Sequence, residues 1–96
     1  MIFEWDSGKA RRNVVKYGIS FEEAASVFLD PLALTFADPD QSLSEPRELT
    51  IGHTIEHKLV FVSHCERGDR VRIISARAAT NSERNQYEQG IGEDDQ

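Results

Sequence analysis

Two periodicities alternate along the chain. The opening stretch "IFEWD" places Phe3 and Trp5 on one side and Ile2 and Glu4 on the other, which predicts a short strand. "SGKARRNVVKYG" then changes to helical spacing. Asp6 or Ser7 can cap it, Ala10, Val14 and Tyr17 share a face, and Gly18 supplies a stop. "SFEEAASVFLDP" predicts a second helix. Ser20 and Glu23 have capping-box spacing, Ile19 can staple onto Ala24, and Phe21, Ala24, Ala25 and Phe28 form the apolar stripe before Asp30-Pro31. The two helices, over Lys9–Tyr17 and Phe21–Leu29, should form a hairpin packed on a sheet through Val14, Phe21, Ala25 and Phe28.

After Pro31 the period becomes two. "LALTF" predicts a strand, "ADPDQSLSEP" a mobile polar loop, and "RELTIGH" a strand with Leu49 and Ile51 inward. "KLVFVSHCE" and "RVRIISAR" are the strongest strands, joined across "RGD"; the three should form an antiparallel meander. With Arg67-Gly68-Asp69 as the loop, Glu66 faces Arg70, His64 faces Arg72, Val62 faces Ile74 and Val60 faces Ala76. A two-residue Gly-Asp loop would shift that register while leaving each strand's face membership unchanged. "TNSERNQYEQG" has a capping box, Thr80 with Glu83, and only Tyr87 as a sizeable apolar residue, so it predicts a loosely docked helix. The expected architecture is α+β: a helical hairpin on a twisted antiparallel sheet of four to five strands, with a C-terminal helix.

Ninety-six residues are enough for one modest core, taken as a single domain over 1–90, with 91–96 an acidic disordered tail. The single Cys65, more simply a core residue than a reactive one, rules out a disulfide framework, and no apolar run approaches a membrane span. With no signal peptide in "MIFEWDSGK", the expected location is cytoplasmic. The net charge is −6, but residues 1–77 carry 10 Lys and Arg against 12 Asp and Glu, so the acidity is concentrated in the C-terminal segment. A near-neutral body leaves room for a local basic patch.

That patch has candidates. Arg70, Arg72 and Arg77 interrupt an apolar strand, and a guanidinium does not enter a core without a partner. They are either cross-strand ion pairs, as Glu66 with Arg70, or phosphate ligands beside His64 or Glu66 as proton carriers. Lys9, Arg12 and Lys16 recur on one helix face; they are either a solvated face or, with Arg47, cations that track a nucleic-acid backbone. His53 and His57 flank a turn and read as solvated residues, so neither a metal nor any cofactor is expected.

"FEWD" followed by Lys9, "KYGISFEEA", "EPRELTIGH" and "RVRIISARAAT" with a later Glu-Arg and Tyr-Glu resemble the BrnT family over residues 2–89. One departure is Lys16-Tyr17-Gly18, where that family commonly has a histidine. The resemblance implies a RelE-like microbial ribonuclease fold, metal-independent endonucleolytic cleavage of RNA, inhibition of translation, and a neutralising BrnA-like antitoxin. Contact with DNA would come only through the antitoxin complex, and no membrane partner is implied. The resemblance also implies that the arginines from Arg70 to Arg77 are phosphate and transition-state ligands; with the residue reading, the expected site joins Arg72, Arg77 and His64 or Glu66 as catalytic groups to Lys9, Arg12, Lys16, Arg47 and Arg70 as RNA ligands. A second reading is a catalytically degenerate relative that retains antitoxin binding and operon autoregulation.

Overall fold

The computed structural model describes residues 1–39 and 46–90. The expected acidic tail and most of the loop around "PDQSLSE" lie outside them. In chain order the elements are β1 (Ile2–Glu4), α1 (Ser7–Tyr17), α2 (Phe21–Ala25), a 3₁₀ turn (Ser26–Leu29), β2 (Leu34–Ala37), β3 (Glu48–His53), β4 (Leu59–Arg67), β5 (Arg70–Ala78) and α3 (Asn81–Gln89). The strands form one sheet in the order β1-β5-β4-β3-β2. It is mixed, not antiparallel as expected: β1 pairs parallel to β5, with Phe3 opposite Val71 and Glu4 opposite Arg72. The parallel pair is reached because α1 and α2 carry the chain back across the sheet before β2 begins.

The helix boundaries follow their caps. Asp6 accepts from the Lys9 N–H, and Gly18 ends α1 in the left-handed conformation. Ser20 Oγ accepts from Glu23 N–H, but the Glu23 carboxylate does not complete a box. It accepts instead from Thr54 Oγ1 at 2.9 Å and pairs with Lys58. At Thr80 both halves of the box are present.

α1, α2 and the 3₁₀ turn cover one face of the sheet, where Ile19, Phe21, Ala24 and Val27 pack with Val60, Val62, Ile73 and Ala76. Val27 is fully buried although the helical stripe omitted it. After Ala25 the winding tightens to three residues per turn, so Phe21, Ala24 and Val27 fall in line while Phe28 sits at the edge. The backbone of β3 comes close here: a Cβ on Gly52 would lie 3.0 Å from both Val27 Cγ1 and Ala33 Cβ. The opposite face holds a smaller cluster of Ile51, Leu59 and Phe61 under Tyr87 of α3.

The anchor of α1 differs from the expected one. Val14 is exposed, and the buried residue of the helix is Asn13. Its Nδ2 donates to the carbonyls of Ile19 and Ala76, both at 2.8 Å, and its Oδ1 accepts from Ala76 N–H at 3.1 Å. β1 pairs with β5 only as far as Arg72, so the edge of β5 would otherwise leave the Ala76 peptide groups without partners. The Asn13 amide takes the place of the missing strand.

Candidate functional site

The register of the β4–β5 hairpin determines which side chains meet. The turn is the two-residue one, Gly68-Asp69, with Arg67 opposite Arg70, Glu66 opposite Val71, Cys65 opposite Arg72 and His64 opposite Ile73. Between Ser63 and His64 the register shifts, and beyond it Ser63 pairs with Ser75, Val62 with Ala76 and Phe61 with Arg77. Ile74 is therefore an extra residue on β5, a β-bulge. Two expectations change. The three-residue loop pairing does not occur, and β5 does not keep a single alternation, because the bulge inverts the faces of its first half relative to its second.

The result is that Arg70, Arg72, Ser75 and Arg77 share one face, the face away from α1 and α2. On a regular strand Arg72 and Arg77 would point to opposite sides. Each guanidinium has a carboxylate. Glu4 of β1 accepts from Arg72 Nη1 at 3.2 Å and from Arg70 Nη1 at 3.4 Å. The hydrogen bond from Arg72, then that from Arg70, holds the Glu4 carboxyl below its ordinary value against the opposing effect of desolvation. Glu83 of α3 meets Arg77 fork to fork, at 2.9 and 2.8 Å, while Arg77 lies over the Phe61 ring at 4.7 Å. That pairing pushes Glu83 down and Arg77 up.

α1 runs beside this strip. Asp6, at its N-terminus, is close enough to both Arg12 and Arg72 for their charges to lower its carboxyl further, beyond the Lys9 N–H that is the main cause. At the other end Lys16 lies over the Tyr17 ring at 5.2 Å, and the Tyr17 phenol reaches Arg77 electrostatically. Lys9, Arg12 and Lys16, all exposed, thus flank the arginine strand on the helix beside it.

The other predicted residues are elsewhere. His64 is buried on the helix side of β4, with Nε2 2.7 Å from Thr50 Oγ1 and its ring edge-on to Phe28. Burial lowers its pKa, outweighing the Glu66 charge that raises it, so the ring is neutral at neutral pH. Glu66 alternates with His64 and is likewise off the arginine face. Arg47 precedes β3, with its carbonyl bonded to Asp38 N–H beside β2, on the far side of the sheet from β5. His53 Nδ1–H donates to the Tyr87 hydroxyl oxygen, 3.0 Å away. That hydroxyl in turn donates to Asp30 at 2.6 Å; burial and this bond push the Tyr87 phenol up to about 12. Among the described residues no three His, Cys, Asp or Glu side chains gather as a metal site.

Glu4, Glu83 and Asn13 were not foreseen as parts of the site. The alternation of "IFEWD" separated Glu4 from Phe3 and Trp5, but nothing local signalled that β1 lies against β5. Glu83 was visible only as a capping residue.

The family described as "Ribonuclease toxin, BrnT, of type II toxin-antitoxin system" matches residues 5–83. Among solved structures, the crystal structure of the Brucella abortus ribonuclease toxin BrnT is similar, with a TM-score of 0.62 and 23% identity. The match covers 84% of this chain and 100% of that one. At that identity the likeness bears on the fold. No curated protein matches the chain.

Proposed function

Because the chain belongs to the BrnT family of ribonuclease toxins of type II toxin–antitoxin systems, we propose that it cleaves RNA on the sheet face bearing Arg70, Arg72 and Arg77. The observation that carries this reading is the bulge at Ile74. It places an otherwise divided set of guanidiniums on one side, away from the helical layer.

The chemistry suits that arrangement. Attack of a 2′-hydroxyl on the adjacent phosphorus, its proton passing to water, forms a new O–P bond and breaks the bond to the 5′-oxygen, which leaves as a hydroxyl after taking a proton from water, and a 2′,3′-cyclic phosphate remains. The phosphorane-like transition state carries more negative charge than the diester. Arg72 and Arg77 donate planar forks to it and stabilise it more than the ground state. Glu4 and Glu83 hold these forks in place until phosphate competes for them, and the exposed Lys9, Arg12 and Lys16 draw the polyanion along α1. Both carboxylates are held ionised by arginine, which makes them weak bases and good orienting groups. His64 and Glu66 receive no proton-transfer role, since they lie off this face.

The reaction is metal-independent in this reading, because the transition-state charge is met by arginines. The relationship to RelE-like ribonucleases, the resulting block on translation, a BrnA-like antitoxin and a cytoplasmic site of action belong to the same proposal. Nothing in the geometry favours the non-catalytic alternative. The test is incubation of labelled RNA with the purified chain in excess chelator. Internal cuts with cyclic-phosphate ends are expected; no cleavage, or cleavage abolished by the chelator, would overturn the proposal.

A further inference from the structure

The arginine face continues past its guanidiniums towards β2. Pairing across the sheet sets Phe36 opposite Leu49, Leu49 opposite Ser63, and Ser63 opposite Ser75, so these four side chains form one row across the strands on that face. Arg77 stands in the next row on one side, and Arg72, opposite Cys65, in the next on the other. The row changes character along its length, with two apolar side chains towards the β2 edge and two hydroxyls towards the arginine strand. All four residues are half-buried, whereas Ile51 and Phe61 of the neighbouring row are buried under Tyr87 and the Arg77 guanidinium. Neither serine side chain bonds to another described residue. The Phe36 ring lies 6.0 Å from that of Phe61, which in turn lies 4.7 Å beneath Arg77. A phosphate held by Arg77 is thus one aromatic ring away from Phe36.

We infer that Phe36, with Leu49 beside it, is the platform for an unpaired nucleobase next to the scissile phosphate, and hence that the chain acts on single-stranded RNA. This deepens the proposed activity and rests on its phosphate site. The order of groups selects the occupant. Neighbouring strands lie about 4.8 Å apart, so the face passes from apolar ring to hydroxyl to guanidinium in the sequence in which a nucleotide presents base, ribose and phosphate. Aromatic side chains beside a cationic track are how proteins hold single strands, because every base has a face to stack. The apolar part is only two side chains wide and ends at free hydroxyls, which suits one flat base and its sugar better than the stripe of a helix. A base inside a duplex has both faces stacked on its neighbours and cannot lie on Phe36. Because β2 is an edge strand, the base can enter from the side of the sheet.

The experiment is fluorescence anisotropy of the full chain with a short single-stranded RNA, made uncleavable by 2′-fluoro substitution, along which one abasic nucleotide is moved. Wild type is compared with Phe36→Leu, which retains an apolar side chain in the cluster and removes the aromatic face. Cleavage of the unmodified RNA, alone and annealed to its complement, is measured in parallel. On the wild type, an abasic nucleotide beside the cut site should weaken binding about tenfold, the scale of one base on one ring. Phe36→Leu should bind the intact RNA severalfold more weakly and lose that sensitivity. The single strand should be cut and the duplex left intact. A flat abasic scan on the wild type, the same scan in Phe36→Leu, or equal cleavage of duplex and single strand overturns the inference. The wild-type scan alters no residue of the protein, so it decides the matter even where the variant folds poorly. Unchanged RNA affinity in Phe36→Leu with weakened binding of the antitoxin protein assigns the platform to that partner and overturns the inference as well. A chain that cuts RNA with a flat scan retains the proposed activity and loses the platform. One that shows the Phe36-dependent scan and cuts nothing retains the platform and loses the activity, and a chain that binds no RNA loses both.

Discussion

Asn13→Ala should be among the most destabilising single changes in this chain. The side chain is 6% exposed and makes three hydrogen bonds, two of them to the peptide groups of Ala76. Alanine leaves the Ala76 N–H and the Ala76 and Ile19 carbonyls without partners inside the packed layer. Each buried group left unsatisfied costs about 1–3 kcal/mol, and partial access of water brings the sum to roughly 3–4 kcal/mol. For a domain of this size that corresponds to a fall of about 12–30 °C in melting temperature. Asn13→Asp should be no better, since it returns the acceptor for Ala76 N–H but sets a carboxylate oxygen against two carbonyls. Ala76 lies two residues beyond the bulge, next to Arg77, so the strip should also lose its geometry. Urea unfolding at fixed pH measures the loss, with an unchanged slope marking a stability effect. A loss below about 1 kcal/mol for Asn13→Ala would refute the claim that Asn13 substitutes for a missing strand.

Acid should destabilise the fold through His64. Its pKa is lowered in the folded chain by burial, so below the ordinary value of 6.5 the unfolded chain takes up a proton that the folded one refuses. Stability is then full above that value and falls as pH drops below it; His64→Leu should flatten the change in urea midpoint between pH 7.5 and 5.5. Gly52→Ala should cost about 1–3 kcal/mol by overpacking, because its Cβ would press on Val27 Cγ1 and Ala33 Cβ at 3.0 Å. Thermal melting measures this, and a neutral effect would contradict the close approach. Glu83→Gln releases the Arg77 fork, so binding of a non-cleavable RNA at low salt should tighten severalfold. Unchanged affinity would mean that Arg77 does not reach the RNA.

Local rules carried a good deal of this molecule. The caps at Asp6, Ser20 and Thr80, the stop at Gly18 and the meander of β3, β4 and β5 were legible because each depends on residues close in sequence. What stayed hidden depends on distant partners. Nothing in "IFEWD" says that its neighbour is residue 71, and the parallel pairing that brings Glu4 to Arg72 follows from how the helices return the chain. Val14 looked like the buried residue of α1 because it is apolar. Asn13 took that position because an unpaired strand edge needs a donor and an acceptor more than it needs a methyl group. A bulge is what one shared site for Arg72 and Arg77 requires, since a regular strand parts them, but its place at Ile74 was not legible. "RVRIIS" reads as uniform alternation, and only the two-residue turn combined with the pairing of Val62 to Ala76 forces Ile74 out of register. Of the nine candidate site residues, Arg70, Arg72 and Arg77 come together on that account, with Lys9, Arg12 and Lys16 beside them on α1. His64 and Glu66 were grouped with Arg72 and Arg70 by a register the chain does not adopt, and Arg47, expected as a supporting cation, lies across the sheet from β5.

The central claim is that the arginines act on phosphate and do not merely brace the sheet. Both roles are plausible on the contacts alone, since Arg72 and Arg77 each hold a carboxylate. Lysine separates them, because it retains the charge and loses the bidentate fork. The decisive measurement is the single-turnover rate of RNA cleavage by Arg72→Lys and Arg77→Lys, with urea midpoints taken on the same preparations. Partly exposed ion pairs contribute under about 1 kcal/mol, so the midpoints should move little, while cleavage should fall about 100-fold or more, as for removal of a donor to a developing oxyanion. Lower midpoints with cleavage rates near wild type would show that the arginines are braces and contradict the account.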